Sequence, residues 1–151
     1  MLRIEPISPV HPDAVVLIDA LSGALAAITG DPGRSSFDPA DVELPRAKFL
    51  LAYDEAGRAV GCGAYRPLLA HVAEIKRMYA LPGTRGVGAA ILARLEADAA
   101  EDGYTETWLE TRKVNERAVG FYLRNGYEII PNFGKYAGRM DAVCFAKQMA
   151  A

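Results

Sequence analysis

The hydrophobic period changes twice between Val72 and Thr111, and this constrains the fold more than any other feature. Residues 72–81 read as a strand. Val87, Ile91, Leu92 and Leu95 mark one face of a helix that runs to about Asp102, with Gly103 as its stop. From Thr105 to Thr111 the pattern is a strand again. A second strand-to-helix step follows, with a helix from Asn115 to Asn125 ended by Gly126 and a strand from Tyr127 to Ile130. Such steps resemble βαβ units. Parallel strands joined by a helix open a cleft at their C-terminal ends, a common ligand site.

The rest of the chain surrounds that unit with strands. Residues 2–7 alternate as a short edge-like strand. Pro12 and Asp13 open a helix whose apolar positions are Val15, Val16, Ile18, Leu21, Leu25 and Ile28. A breaker cluster spans residues 30–36, and Asp38-Pro39 caps one further helical turn. Residues 48–53 and 58–69 are strands joined by a hairpin turn at Asp54-Glu55-Ala56-Gly57, and residues 142–148 form the last strand. This order predicts an α/β (α+β mixed) domain built on one central mixed sheet.

With 151 residues the chain fits one domain, 1–151, and can bury its own core. Its 17 basic and 19 acidic residues give a net charge of -2, without the basic excess of a nucleic-acid binder. Cys62 and Cys144 match no zinc spacing and are too few for a disulfide scaffold, so no metal is expected. The N-terminus lacks a signal-peptide run. The most apolar stretch, from Ala14 to Ile28, carries Asp19, Ser22 and Gly23 and is shorter than a bilayer span needs. The expectation is a cytoplasmic chain with no membrane partner; a homodimer is compatible with it.

Thr84-Arg85-Gly86-Val87-Gly88-Ala89 lies between a strand and a helix. The first amides of a helix lack intrahelical partners, and the helix dipole adds partial positive charge there. Glycines let a pyrophosphate approach those amides, and Arg85 can add a charge-assisted contact. The Walker and three-glycine dinucleotide patterns do not fit. A glycine-rich turn that merely starts a helix is the plain alternative. Charge placement favours the anion reading. Five bases and one acid lie between Arg66 and Arg94, then six acids and no base from Leu95 to Thr111, then four bases and one acid from Arg112 to Arg124. The basic blocks flank the loop and the start of the following helix, as a polyanionic cofactor would prefer.

Four blocks together resemble the GNAT superfamily of acyl-CoA-dependent N-acetyltransferases. They are residues 73–80, residues 85–92, Leu109-Glu110-Thr111, and Asn115-Glu116-Arg117-Ala118-Val119-Gly120-Phe121-Tyr122 through Asn125-Gly126-Tyr127. The resemblance implies a single GNAT-like domain. Its mostly antiparallel sheet would be flanked by helices, with one parallel strand pair forming the acyl-CoA cleft. One departure stands in the loop, where Gly83 occupies the place of the family's Arg or Gln.

The resemblance further implies acetyl transfer from acetyl-CoA, the cosubstrate, to an amine acceptor. Glu74 is then the expected base, with Glu110 and His71 as alternatives; the plain reading of Glu74 is a half-exposed carboxylate paired with Lys76. Tyr122 is the expected acid for the thiolate, against a role as a packed helix aromatic. Met78, Tyr79, Ala80 and Asn115 would meet the pantetheine arm, Thr84, Arg85, Gly86, Val87, Gly88 and Ala89 the pyrophosphate, and Tyr122 the thioester end, with Asn115 also a helix cap. Acceptor contacts are expected from Asp31, Arg34, Ser35 and Ser36, and from Asn132, Phe133, Lys135 and Tyr136. A catalytically silent acyl-CoA-binding module and a cofactor-free interaction domain are the competing functions.

Overall fold

The computed structural model describes residues 2–33 and 37–149. Seven strands form one sheet: β1 (Arg3–Pro6), β2 (Lys48–Tyr53), β3 (Ala59–Leu69), β4 (Val72–Ala80), β5 (Glu106–Arg112), β6 (Glu128–Ile130) and β7 (Ala142–Gln148). Their spatial order is β1-β2-β3-β4-β5-β7-β6. Only β4 and β5 pair in parallel; the other neighbours are antiparallel. The second strand–helix step therefore does not close a direct βαβ unit, because β7 inserts between β5 and β6.

Helix α1 (Pro12–Thr29) lies on one face, and α2 (Val87–Glu101) and α3 (Glu116–Arg124) on the other. The alternation in β2 explains the layers. Leu50 and Ala52 join the core under α2, while Phe49, Leu51 and Tyr53 join the core under α1. Asp38 caps a short 3₁₀ turn, Pro39–Val42, as its sequence suggests.

The buried stripe of α1 is Ala14, Leu17, Leu21 and Ser22, with Ile18 and Leu25 half-buried beside it; it meets the expected one at Leu21, Ile18 and Leu25, while Val15, Val16 and Ile28 are exposed. An almost wholly apolar helix offers more than one candidate face, and contact with the sheet decides between them. At 18 residues α1 also reaches the length and apolarity of a bilayer span, which the sequence reading put out of range. Its Ala14 and Leu17 nonetheless pack on the sheet.

The β4–β5 pairing is short, with register running from Val72↔Glu106 to Glu74↔Trp108. Past that point the strands separate. On its other side β4 carries a bulge opposite Gly63, and within it Arg77 has a φ of 53°. That is an unusual conformation for a residue with a Cβ. It is held from α1: the Arg77 guanidinium donates to Ser22 Oγ at 2.7 Å and stacks over Phe37.

Candidate functional site

The gap between β4 and β5 opens into a cavity of about 420 Å³. Side chains from both layers reach it: Leu21 and Leu25 from α1, Ala118 and Tyr122 from α3. The polar wall comes from Glu74 and Lys76 on β4, Glu110 and Arg112 on β5, and Lys135, Tyr136 and Arg139 from the β6–β7 connection.

Glu74 lies in this wall and is buried, not half-exposed. Arg66 donates to its Oε1 at 2.7 Å, Tyr136 Oη donates to its Oε2 at 3.3 Å, and Lys76 Nζ stands 3.5 Å from Oε2. The pairing with Lys76 is as expected. The stronger partner, Arg66, is reached across the β3–β4 ladder.

Glu110 is different. Its Oε2 is buried without a hydrogen-bond partner among the described residues, and Arg112 Nε stands 3.8 Å away, beyond hydrogen bonding. Burial raises its proton affinity above the ordinary glutamate value, while Arg112, Lys76 and Arg139 oppose that shift. His71 does not line the cavity. It lies at the far end of β4, exposed and 3.5 Å from Glu106.

Tyr122 lines the cavity and packs against Phe121, Tyr127 and Phe145. It is a packed helix aromatic whose side chain also faces the cavity. Burial pushes its phenol far above the usual tyrosine range, so the proton stays on. Asn115 caps α3, its Oδ1 accepting from the Ala118 amide at 3.3 Å, and it also lines the cavity.

Beyond the split, Tyr79 and Ala80 of β4 pair with β3 and not with β5, and Met78, in the bulge, lines the cavity. The loop that follows ends at Gly86, the cap of α2, with a φ of 71° and no side-chain cap bond. A Cβ at Gly86 would meet nothing within 4 Å, so its glycine answers a backbone need and leaves the first amides of α2 approachable. At Gly88 a Cβ would lie 3.4 Å from Phe121, an ordinary contact, so packing does not demand a glycine there. Val87 is buried beneath the helix, whereas Arg85 and Ala89 are exposed. Thr84 bonds inward, its hydroxyl donating to the Leu81 carbonyl at 2.6 Å.

Of the expected acceptor contacts, Asp31, Lys135 and Tyr136 line the cavity. Phe133 packs edge-on against Tyr136 and against Trp108, supporting the wall rather than forming it. Asn132 is also structural, donating to the Tyr136 and Arg139 carbonyls. Arg34, Ser35 and Ser36 lie outside the described residues. The sequence reading missed Arg112 and Arg139. Arg112 follows Glu110 by two residues on the same strand face, a signal that was available. Arg139 had none. Among the described residues, no group of three or more His, Cys, Asp or Glu is arranged to hold a metal ion.

Comparison with known proteins sets this geometry in context. The model of the acetyltransferase (GNAT) family matches residues 20–127. An IAA acetyltransferase of Azospirillum brasilense is 30% identical over 132 residues, covering 85% of this chain and 86% of its own. A structure from Klebsiella pneumoniae assigned as an acyl-CoA N-acyltransferase superposes with a TM-score of 0.84 at 28% identity, covering 99% of each chain. The PaiA N-acetyltransferase of Thermoplasma acidophilum, solved in complex with coenzyme A, shares the fold with a TM-score of 0.73 at 17% identity, covering 98% of this chain and 99% of its own.

Proposed function

The chain belongs to the acetyltransferase (GNAT) family, and from that membership we propose that it moves the acetyl group of acetyl-CoA to the primary amine of a small molecule, an amino acid or a peptide, by direct attack in a ternary complex. We read residues 1–151 as one such domain, acting in the cytoplasm. The observation that carries the reading is the split between β4 and β5. It leads to a cavity with a buried carboxylate on one wall and a buried phenol on another.

Acetyl-CoA, when bound, supplies a thioester carbonyl. The residues present fit it: a β4 edge released by β5, and an α2 N-terminus capped by no side chain. The amides from Gly86 to Ala89 take the pyrophosphate, with Arg85 and Thr84 beside them. The backbone of Met78, Tyr79 and Ala80 pairs with the pantetheine amides as an added strand would. The Met78 amide is the donor for the developing oxyanion. Asn115 uses its Oδ1 on the helix cap, which leaves its amide nitrogen to donate to the cofactor.

The acceptor must lose a proton before its nitrogen can attack. We assign that proton to Glu110 in preference to Glu74. Glu110 has one oxygen without a hydrogen bond and a raised proton affinity, while both oxygens of Glu74 are engaged. Glu74 is then a fixed counter-charge of the wall. As the N–C bond forms and the C–S bond breaks, charge collects on sulfur. A free thiol has a pKa of roughly 8.5, well below that of the buried Tyr122 phenol, so complete proton transfer is uphill. Tyr122 acts chiefly by donating a hydrogen bond to the leaving sulfur.

Acetyl-CoA titration by calorimetry, followed by thiol release against a panel of amines, tests the reading. Binding with turnover supports it. No binding at millimolar acetyl-CoA removes it, and tight binding with no thiol release for any amine replaces it with a silent acyl-CoA-binding module.

A further inference from the structure

Glu110 and Arg112 share one face of β5, two residues apart, and an arginine so placed can close on the carboxylate as a two-pronged fork. Here it does not. Arg112 Nε stands 3.8 Å from Glu110 Oε2, beyond hydrogen bonding, and that oxygen is buried without a hydrogen-bond partner among the described residues. An open carboxylate oxygen buried beside a guanidinium is costly, so something must hold the guanidinium back.

Two aspartates do so. Arg112 Nη2 donates to Asp31 Oδ2 and Nη1 to Asp141 Oδ2, at 3.2 Å each. Both terminal nitrogens are thus engaged away from Glu110. The anchors are themselves fixed. Asp31, in the turn after α1, accepts the Gly33 amide on its other oxygen at 2.8 Å. Asp141, just before β7, also accepts from Nε and Nη2 of Arg139, at 3.2 and 3.0 Å, and its carbonyl accepts the Lys113 amide. Single exposed ion pairs contribute little, but one guanidinium, 20% exposed, here joins the α1 turn, β5 and the β6–β7 connection.

The other titratable groups facing Glu110 come from several elements. Glu74 and Lys76 stand on β4, Tyr136 and Arg139 in the β6–β7 connection, and Cys144 opposite it on β7. Tyr122 and Lys135 line the same cavity, while Arg77 is tied to Ser22 of α1. Glu74, Lys76 and Tyr136 hold one another. Arg112 and Arg139 both oppose the effect of burial on Glu110, and Asp141 holds both of them.

We propose that Asp31 and Asp141 are positioning residues for Glu110, holding Arg112 off its carboxylate so that one oxygen stays open to the acceptor amine. The inference rests on the reading of Glu110 as the base and names what keeps it usable. Without the aspartates the guanidinium turns to Glu110 and closes the fork, and a carboxylate so paired is a weaker base.

The test follows thiol release against pH at saturating acetyl-CoA for Asp31→Asn, Asp141→Asn and the double variant. Their rising limb should move to lower pH, furthest in the double variant, with the plateau kcat down by about tenfold. Asp31→Glu should restore most of both. Arg112→Met should move the limb the other way, and on that background Asp31→Asn should move it little, because its intermediary is gone. NMR titration of the Glu110 carboxyl carbon, assigned by its loss in Glu110→Gln, reads the same shifts without turnover. An unmoved Glu110 titration in the aspartate variants overturns the inference, whatever their thermal stability. So does an equal shift for Asp31→Asn with and without Arg112, which makes Asp31 a plain charge in the field of the site. A raised KM for the amine with the limb unmoved also overturns it and makes Asp31 an acceptor contact. Carboxyl titrations that shift as expected, with a rate limb that survives Glu110→Gln, uphold the hold on Arg112 and overturn only the base assignment beneath it.

Discussion

Arg66 and Glu74 stand opposite each other in the β3–β4 ladder, and the Arg66 guanidinium donates to the Glu74 carboxylate at 2.7 Å. The Glu74 side chain is 3% exposed and that of Arg66 27%, so the carboxylate end of the pair is shielded from solvent. Removing one partner of such a pair leaves a buried charge unanswered, at a cost of about 3–5 kcal/mol. Glu74→Ala should therefore lose stability of that order, and Glu74→Gln less, because the amide still accepts from Arg66. Urea unfolding at neutral pH measures both. A loss below about 1 kcal/mol for the alanine variant would place this pair with ordinary surface ion pairs.

Glu110→Gln should behave in the opposite way. As the base, Glu110 works only when ionised, and burial raises the pH at which that happens. The wild-type rate should rise with pH through a limb above the ordinary glutamate range. The glutamine variant should lose that limb, with kcat down by about 10²–10⁴-fold. The stability effect has the reverse sign. A carboxyl whose proton affinity is raised by folding contributes stability below its unfolded pKa, and that contribution is lost as pH rises through its folded pKa. Glu110→Gln should thus gain on the wild type at neutral pH and converge with it in acid. An unchanged pH–rate profile would return the base role to Glu74.

Tyr122→Phe removes a hydroxyl and little of the packing, since the ring keeps its contacts with Phe121, Tyr127 and Phe145. The expected result is a fall in kcat of about 10²-fold with little change in acetyl-CoA affinity. Because the phenol keeps its proton well above neutral pH, the wild-type profile should show no alkaline loss from this group below the usual tyrosine range. A large loss of affinity without a loss of kcat would make Tyr122 a packing residue.

These residues mark how far the sequence could be read. The strands at 48–53 and 142–148 and the helix after Gly86 follow from local period and turn chemistry, and they stand where expected. The face of α1 followed only in part, at Ile18, Leu21 and Leu25, because Val15 and Val16 are as apolar as Leu17 and only the sheet decides between them. Glu74 was visible as a carboxylate on a strand. Its Arg66 partner was not, since eight residues separate them and the hairpin register alone makes them neighbours. Arg139 enters the site from a connection with no periodic signal. Tyr136, a candidate from the start, owes its place to a 3₁₀ turn, Gly134–Tyr136, that the sequence did not announce. The scaffold was thus legible where order is local, and the charge network was not, because long-range register builds it.

Two glycine substitutions separate cofactor binding from folding. At Gly86 a Cβ meets nothing within 4 Å, so Gly86→Ala acts only through the backbone, whose φ of 71° costs a residue with a Cβ about 1–2 kcal/mol. Relief of that strain would turn the first amides of α2 away from the pyrophosphate. Acetyl-CoA affinity should fall about tenfold or more, and Gly86→Asn should lose less, because Asn accepts the left-handed conformation more readily. At Gly63 the obstacle is space. A Cβ there would lie 2.7 Å from Met78 Sδ, 2.8 Å from Ile91 Cγ2 and 2.9 Å from Leu95 Cδ1. Gly63→Ala should destabilise the fold by about 1–3 kcal/mol through overpacking between β3, the β4 bulge and α2. Calorimetric titration and thermal unfolding on both variants separate the two effects. If Gly86→Ala bound acetyl-CoA like the wild type, the α2 N-terminus would no longer be the seat of the pyrophosphate.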